Sequence, residues 1–158
     1  MSYNSEFRRS IDQRDDFWRE QAQHIDWIKA PNTIWRALDN GHGEWFPDGE
    51  LNTSDVALDA NIRAGRGDQK ALIYDSPVTN TKQSFTYNEL RDEVALFAGA
   101  LRARGVEKGD RVIIYMPMIP QAAIAMLACA RLGAIHSVVF GGFAAHELAV
   151  RIEDAKPK

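Results

Sequence analysis

The chain has 158 residues, with 19 Lys and Arg against 22 Asp and Glu, for a formal net charge of −3. At 45% hydrophobic and 26% charged residues it has the composition of a folded domain and not of a disordered chain, and its acidic balance lacks the basic excess of a nucleic-acid-binding domain. The lone cysteine, Cys129, rules out an intrachain disulfide and a cysteine zinc site, and His24, His42, His136 and His146 lack metal-ligand spacing.

Charged residues occupy the N-terminal stretch where a secretion signal would carry its apolar run. The apolar runs 112–120 and 122–130 fall short of the ~20 residues that a membrane span needs. A cytoplasmic chain with no nucleic-acid or membrane partner is expected.

Residues 1–68 read as an irregular helical and loop segment. Asp12 is placed to cap a helix carrying Phe17, Trp18, Gln21, Ala22 and Ile25 on one face. Pro31, Asn40-Gly41, Gly43 and Pro47-Asp48-Gly49 then mark loops and turns. Trp18, Trp27, Trp35 and Trp45 crowd this half, and pinning an irregular segment by buried rings is a better account of them than an aromatic ligand cage. A second helix is expected over 54–63, ended by Gly65 and Gly67.

Residues 69–158 read as an α/β pattern. A β-prone run over 71–75 and a return strand over 83–85 flank a polar turn. Thr86 and Glu89 form a T-x-x-E capping box. The helix behind it carries Tyr87, Leu90, Val94, Phe97 and Leu101 at steps of three and four, with Gly105 beyond its end. Arg111–Met116 is a nearly continuous apolar run and predicts a buried strand. Pro120 suits a first helical position, and the helix over 122–132 is apolar almost all round, which predicts burial on several sides. Gly133 stops it. Residues 134–140 form the next strand, Gly141-Gly142 a tight turn, and 144–154 a final helix with Pro157 past its end.

Strand, helix, strand, glycine turn, helix is an incomplete βαβα unit, and its two strands should be parallel neighbours. Ligands of open α/β sheets collect outside the carboxyl ends of the strands, here Met116-Pro117-Met118 and Phe140-Gly141-Gly142-Phe143. Backbone N–H groups of glycines approach a ligand closely because no Cβ intervenes; a plain tight turn explains the same glycines. Neither G-x-G-x-x-G nor a P-loop motif occurs. Cys129 reads as a packed core thiol and His136 as a satisfied core histidine. Asp92-Glu93 and Glu153-Asp154 are adjacent on helices, so they read as solvated faces and not as acid–base pairs. No complete catalytic constellation and no metal site is expected.

One stretch is more specific than any spacing. Lys108-Gly-Asp-Arg-Val-Ile-Ile-Tyr-Met-Pro-Met118, followed by Ala125-Met-Leu-Ala-Cys-Ala-Arg-Leu-Gly-Ala-Ile-His-Ser-Val-Val-Phe-Gly-Gly-Phe143, resembles the AMP-forming short-chain acyl-CoA synthetases of the adenylate-forming superfamily. Phe85-Thr-Tyr-Asn-Glu-Leu90 and Trp45-Phe-Pro-Asp-Gly-Glu-Leu-Asn52 extend the likeness over essentially the whole chain. Ile25-Asp26-Trp27 and the tail around His146, Arg151 and Pro157 lean toward propionate over acetate ligases, while Leu58-Asp59-Ala60-Asn61-Ile62 departs from the family pattern. The resemblance implies an N-terminal fragment of an ATP-dependent ligase that makes acyl-CoA from propionate or acetate. ATP, Mg²⁺ and CoA are implied for the parent enzyme and none for the fragment. The phosphate loop and catalytic Lys of that family are missing here, so the fragment is expected to be inactive. The family also implies that Phe140, Gly141 and Gly142 line the CoA-binding face of the parent. A free-standing α/β binding or interaction module stays open as the alternative. Self-association is expected through an uncovered sheet edge or the final helix.

Overall fold

The computed structural model describes residues 2–142 and 144–158. They form two compact units, Met1–Leu51 and Asn52–Lys158.

In the first unit, helix α1 spans Tyr3–Asp12 and α2 spans Arg14–Ala22. Ser2 starts α1 through a reciprocal capping box with Ser5. Asp12 therefore ends a helix and does not cap one; Gln13 precedes α2 with no side-chain cap. Helix α2 stops at Ala22, its one buried residue, so Ile25 lies beyond the expected apolar face. The Trp27 indole N–H donates to the Ala22 carbonyl at 2.7 Å and holds the chain after that helix. The expected loops contain an antiparallel pair, β1 (Trp35–Ala37) and β2 (Gly43–Trp45). Gly43 leaves room for the Trp35 ring, which would lie 1.9 Å from a Cβ there. Trp45 meets Trp35 edge-on at 4.8 Å and Trp18 at 5.7 Å. The Arg14 guanidinium lies over both Trp35 and Trp45. The rings thus pack edge to face and take a cation of their own chain, and none of the four tryptophans is buried, Trp18 and Trp45 being exposed, which corrects the expectation of buried rings.

In the second unit the expected helix over 54–63 is two π-helical turns, Asp55–Asp59 and Ile62–Arg66, broken at Gly65 (φ 78°). Asn52 secures this segment with both ends of its amide. Its Oδ1 accepts from the Ser54 and Asp55 N–H groups, and its Nδ2 donates to the Ala130 and Arg131 carbonyls. Strands β3 (Lys70–Ser76) and β4 (Thr81–Thr86) form an antiparallel hairpin. Helix α3 (Tyr87–Ala103) opens on the Thr86–Glu89 capping box, and Gly105 follows it at φ 82°. Strand β5 (Arg111–Met116) and β6 (Ile135–Phe140) are parallel neighbours, joined by helix α4 (Pro120–Leu132). Pro120 sits in the first turn of α4, and Gly133 (φ 72°) ends it in the left-handed conformation. Helix α5 spans Ala145–Ala155.

The core joins α3 and α4: Leu90, Val94 and Ala98 pack with Ile124 and Ala128, and with Leu58 from the first π-helical turn. The small residues of α4 are buried on several sides, as its all-round apolarity predicts. The expectation that Arg111–Met116 is a buried strand is corrected: Ile114 is its one buried residue, with Arg111 and Tyr115 exposed. In β6 Val139 is buried, but Ile135, Val138 and Phe140 are each more than half exposed. A continuous apolar run marks a strand covered on both faces, and the described residues leave much of β6 uncovered. His136 is exposed too and is not a core histidine.

Candidate functional site

The register of the parallel pair brings its carboxyl ends side by side: Met116 aligns with Phe140. Residues aligned across a parallel pair share a sheet face. On one face Val112 packs with Cys129 of α4. Arg111, Ile113 and Tyr115 alternate to the other face. From there the Arg111 guanidinium donates to the Ala155 and Lys156 carbonyls, at the end of α5, at 2.9 and 3.1 Å. The helix that follows β5 therefore lies on one face, and the helix that follows β6 ends on the other. Adjacent strands whose connections leave to opposite faces open a crevice at their carboxyl ends, where α/β sheets hold ligands.

Met116, Pro117 and Met118 form one lip of this carboxyl edge, and Phe140, Gly141 and Gly142 the other. A Cβ on Gly141 would lie 3.0 Å from the Met116 carbonyl oxygen and 3.2 Å from the Pro117 nitrogen. Backbone packs on backbone there, and a side chain would force the lips apart. Gly142 lies under the Phe140 ring, 2.6 Å from where its Cβ would be. Its partner is a side chain that turns away more easily than a peptide. Met118 is 84% exposed and Phe140 64% exposed, so both lips offer apolar surface to solvent. Phe143 lies outside the described residues. No residue from Met116 to Met118 or from Phe140 to Gly142 carries a formal charge.

On the α4 face a groove of about 510 Å³ runs beside Met116, with Phe85, Phe97 and Ile124 as apolar walls and Gln83, Glu93 and Gln121 as polar groups. Sequence reasoning missed it, because β4, α3, β5 and α4 all contribute and no local spacing joins them.

The titratable groups do not converge on the carboxyl edge. Burial pushes the Cys129 thiol up, away from the reactive thiolate. Asp92, Glu93, Glu153 and Asp154 are all exposed, as adjacent helical carboxylates should be. Among the described residues no group of three His, Cys, Asp or Glu side chains could hold a metal ion, and no helix is long and apolar enough to cross a membrane.

Residues 3–57 match the family described as acetyl-coenzyme A synthetase N-terminus. Residues 59–158 match that described as AMP-binding enzyme. The chain is 52% identical to the mitochondrial acyl-CoA synthetase short-chain family member 3 of Bos taurus, over 99% of its own length and 23% of that protein. It is 49% identical to acetyl-coenzyme A synthetase 1 of Pseudomonas aeruginosa, over 99% of its own length and 24% of that protein. Among solved structures it superposes on acetoacetyl-CoA synthetase from Streptomyces lividans with a TM-score of 0.87 at 33% identity, covering 99% of this chain and 24% of that one. The chain thus spans about a quarter of the length of these relatives. Its helices and small sheets are those of the corresponding portion of an acyl-CoA synthetase. With an acetyl-coenzyme A synthetase N-terminal region followed directly by 100 matched residues, the chain belongs to the AMP-binding enzyme family.

Proposed function

We propose that this chain is the N-terminal part of a cytoplasmic, ATP-dependent, AMP-forming short-chain acyl-CoA synthetase acting on propionate or acetate. The observation that supports the reading is the match of residues 3–57 to the acetyl-coenzyme A synthetase N-terminus and of residues 59–158 to the AMP-binding enzyme family, with about half of the residues identical to those of short-chain acyl-CoA and acetyl-CoA synthetases. In such a reaction the carboxylate oxygen attacks the α-phosphorus of ATP and pyrophosphate leaves. The CoA sulfur then attacks the acyl carbon and AMP leaves. Phe140, Gly141 and Gly142 would line the path of CoA. Magnesium would belong to the nucleotide step. The described residues offer no ligand set that fits it, and no step here runs through it.

The isolated chain is expected to be inactive and to self-associate through the uncovered sheet edge or the final helix, α5. Carboxylate-dependent pyrophosphate release is the test. The 158-residue chain should release none above a heat-killed control, with either acid. A longer product of the same reading frame, running on into a Gly-rich Pro-Lys-Gly loop, should release it with propionate or acetate. Release by the short chain would sink the fragment reading. A stop codon directly after Lys158 would favour a non-catalytic module. Light scattering at micromolar concentration checks self-association, and a clean 17.7 kDa monomer would refute it.

A further inference from the structure

We propose that Met118 is a modification site, its thioether being oxidised by hydroperoxides to the sulfoxide ahead of the other described sulfur atoms. Oxidation of methionine follows access of the oxidant to sulfur, and the four sulfurs of Met116, Met118, Met126 and Cys129 differ sharply in access. Met118 is 84% exposed. Met116 and Met126 are half-buried. Cys129 is fully buried in the packing of α4 with Val106 and Ala134, and burial holds its thiol protonated.

The backbone around Met118 is fixed at three points. Gly141 packs on the Met116–Pro117 peptide, the Ile119 N–H donates to the Pro117 carbonyl at 2.9 Å, and Pro120 begins α4. Met118 thus stands on a short, anchored turn between β5 and α4. Its exposure belongs to that turn and not to a frayed terminus.

The step balances with the hydroperoxide as oxidant. Thioether sulfur attacks the distal peroxide oxygen, the O–O bond breaks, an S=O bond forms, and the hydroperoxide leaves as an alcohol, or as water from hydrogen peroxide. The sulfur loses two electrons and the peroxide gains them. An apolar side chain at the lip becomes a polar one, and methionine sulfoxide reductases reverse the change. The inference rests on the exposure and packing of Met118 within these 158 residues, and the test is run on this chain.

Peptide mapping by mass spectrometry after brief exposure of the folded chain to dilute hydrogen peroxide tests it. All four sulfurs lie between Arg111 and Arg131 and share one tryptic peptide, so fragment ions should place the first oxygen on Met118, arriving about tenfold faster than on Met126 or Cys129 and ahead of Met116. Met118→Leu, a swap of similar volume, should abolish the fast phase and leave the slow ones unchanged. Oxidation of Met116, Met126 or Cys129 at an equal or higher rate in the native chain would overturn the proposal. So would a fast phase that survives in Met118→Leu.

Discussion

Arg131 reaches from the last turn of α4 to Asp59 and grips its carboxylate with two nitrogens, Nη1 to Oδ2 at 2.7 Å and Nη2 to Oδ1 at 3.2 Å. In the same segment Arg63, one turn after Asp59, pairs with Asp55, one turn before it, and Asn52 ties the same region to the α4 carbonyls. A two-pronged pair that is more than half shielded, with side-chain exposures of 30% and 20%, is stronger than a surface ion pair. Removing one partner leaves the other charge partly shielded without its counter-ion. Asp59→Ala and Arg131→Ala should each destabilise the chain by about 1–3 kcal/mol, and the double variant should cost less than their sum by about 1 kcal/mol. Urea titrations of the four proteins in the cycle measure this; strict additivity would show that the pair contributes no coupling.

The capping box of α3 carries a pH signature. The Thr86 N–H donates to Glu89 Oε2 at 2.8 Å, and the Thr86 hydroxyl donates to the same oxygen. These bonds, the backbone one first, hold the Glu89 carboxyl below its ordinary value of 4.5. A depressed carboxylate adds stability that is present above the unfolded-state pKa and is lost as pH falls through the folded one. Stability should therefore decline below about pH 4.5 as Glu89 takes up a proton. Asp110 behaves alike: the Glu107 N–H and Lys158 hold its carboxyl down. Thr86→Ala removes the cap and should cost about 1 kcal/mol near neutrality. Glu89→Gln should flatten the acid limb. An unchanged acid limb in Glu89→Gln, followed by circular dichroism, would remove Glu89 from the account.

Ser54 is fully buried, and its hydroxyl oxygen has no hydrogen-bond partner among the described residues. Its backbone N–H is satisfied by Asn52. A buried hydroxyl without a partner costs free energy, and removing it can be neutral or stabilising. Ser54→Ala should leave stability unchanged or raise it by up to about 1 kcal/mol, while Ser54→Val should lower it by overpacking. A loss of more than about 1 kcal/mol in Ser54→Ala, measured by thermal melting, would show that the hydroxyl is bonded in solution.

Signals carried by one or two residues were legible in the sequence. Thr86 with Glu89, Pro120, Gly105 and Gly133 mark the ends of α3 and α4 where the structure has them, because caps and left-handed glycines act within one helical turn. Helix α1 went unread, although Tyr3, Phe7 and Ile11 stand at steps of four on it. Its starter, Ser2 with Ser5, is a box of two serines, weaker in sequence than a box with Glu or Gln. The β1–β2 pair was hidden by its glycines, since Gly43 reads as a breaker until the Trp35 ring is seen lying on it. The exposure of Ile135, Val138 and Phe140 agrees with the expectation of an uncovered sheet edge, although which of the two strands would carry it was not legible in the apolar pattern alone. At the carboxyl ends both segments, Met116–Met118 and Phe140–Gly142, and their parallel pairing were readable, but the close packing between them was not. The contact of Gly141 with Met116 joins residues from two different strands, and the parallel register alone creates it.

That contact makes the two glycines unequal. At Gly141 a methyl group would press on the Met116 carbonyl at 3.0 Å, on its carbon at 3.1 Å and on the Pro117 nitrogen at 3.2 Å. All three are backbone atoms at the end of β5, where the Met116–Phe140 register holds the strand. Relief requires the two strand ends to separate, at a cost of about 1–3 kcal/mol by the usual penalty of overpacking. At Gly142 the nearest atoms belong to the Phe140 ring, the first at 2.6 Å. That ring is 64% exposed and can swing outward by a change of rotamer, for about 0.5–1.5 kcal/mol. Gly141→Ala should therefore be the more destabilising variant in denaturant titrations, and it should accelerate amide exchange at the ends of both β5 and β6. Gly142→Ala should leave the strand amides protected and alter chiefly the signals of the Phe140 ring. Equal losses of stability, or a Gly141→Ala chain whose exchange pattern matches the parent, would show that the lips are not held together by this backbone contact.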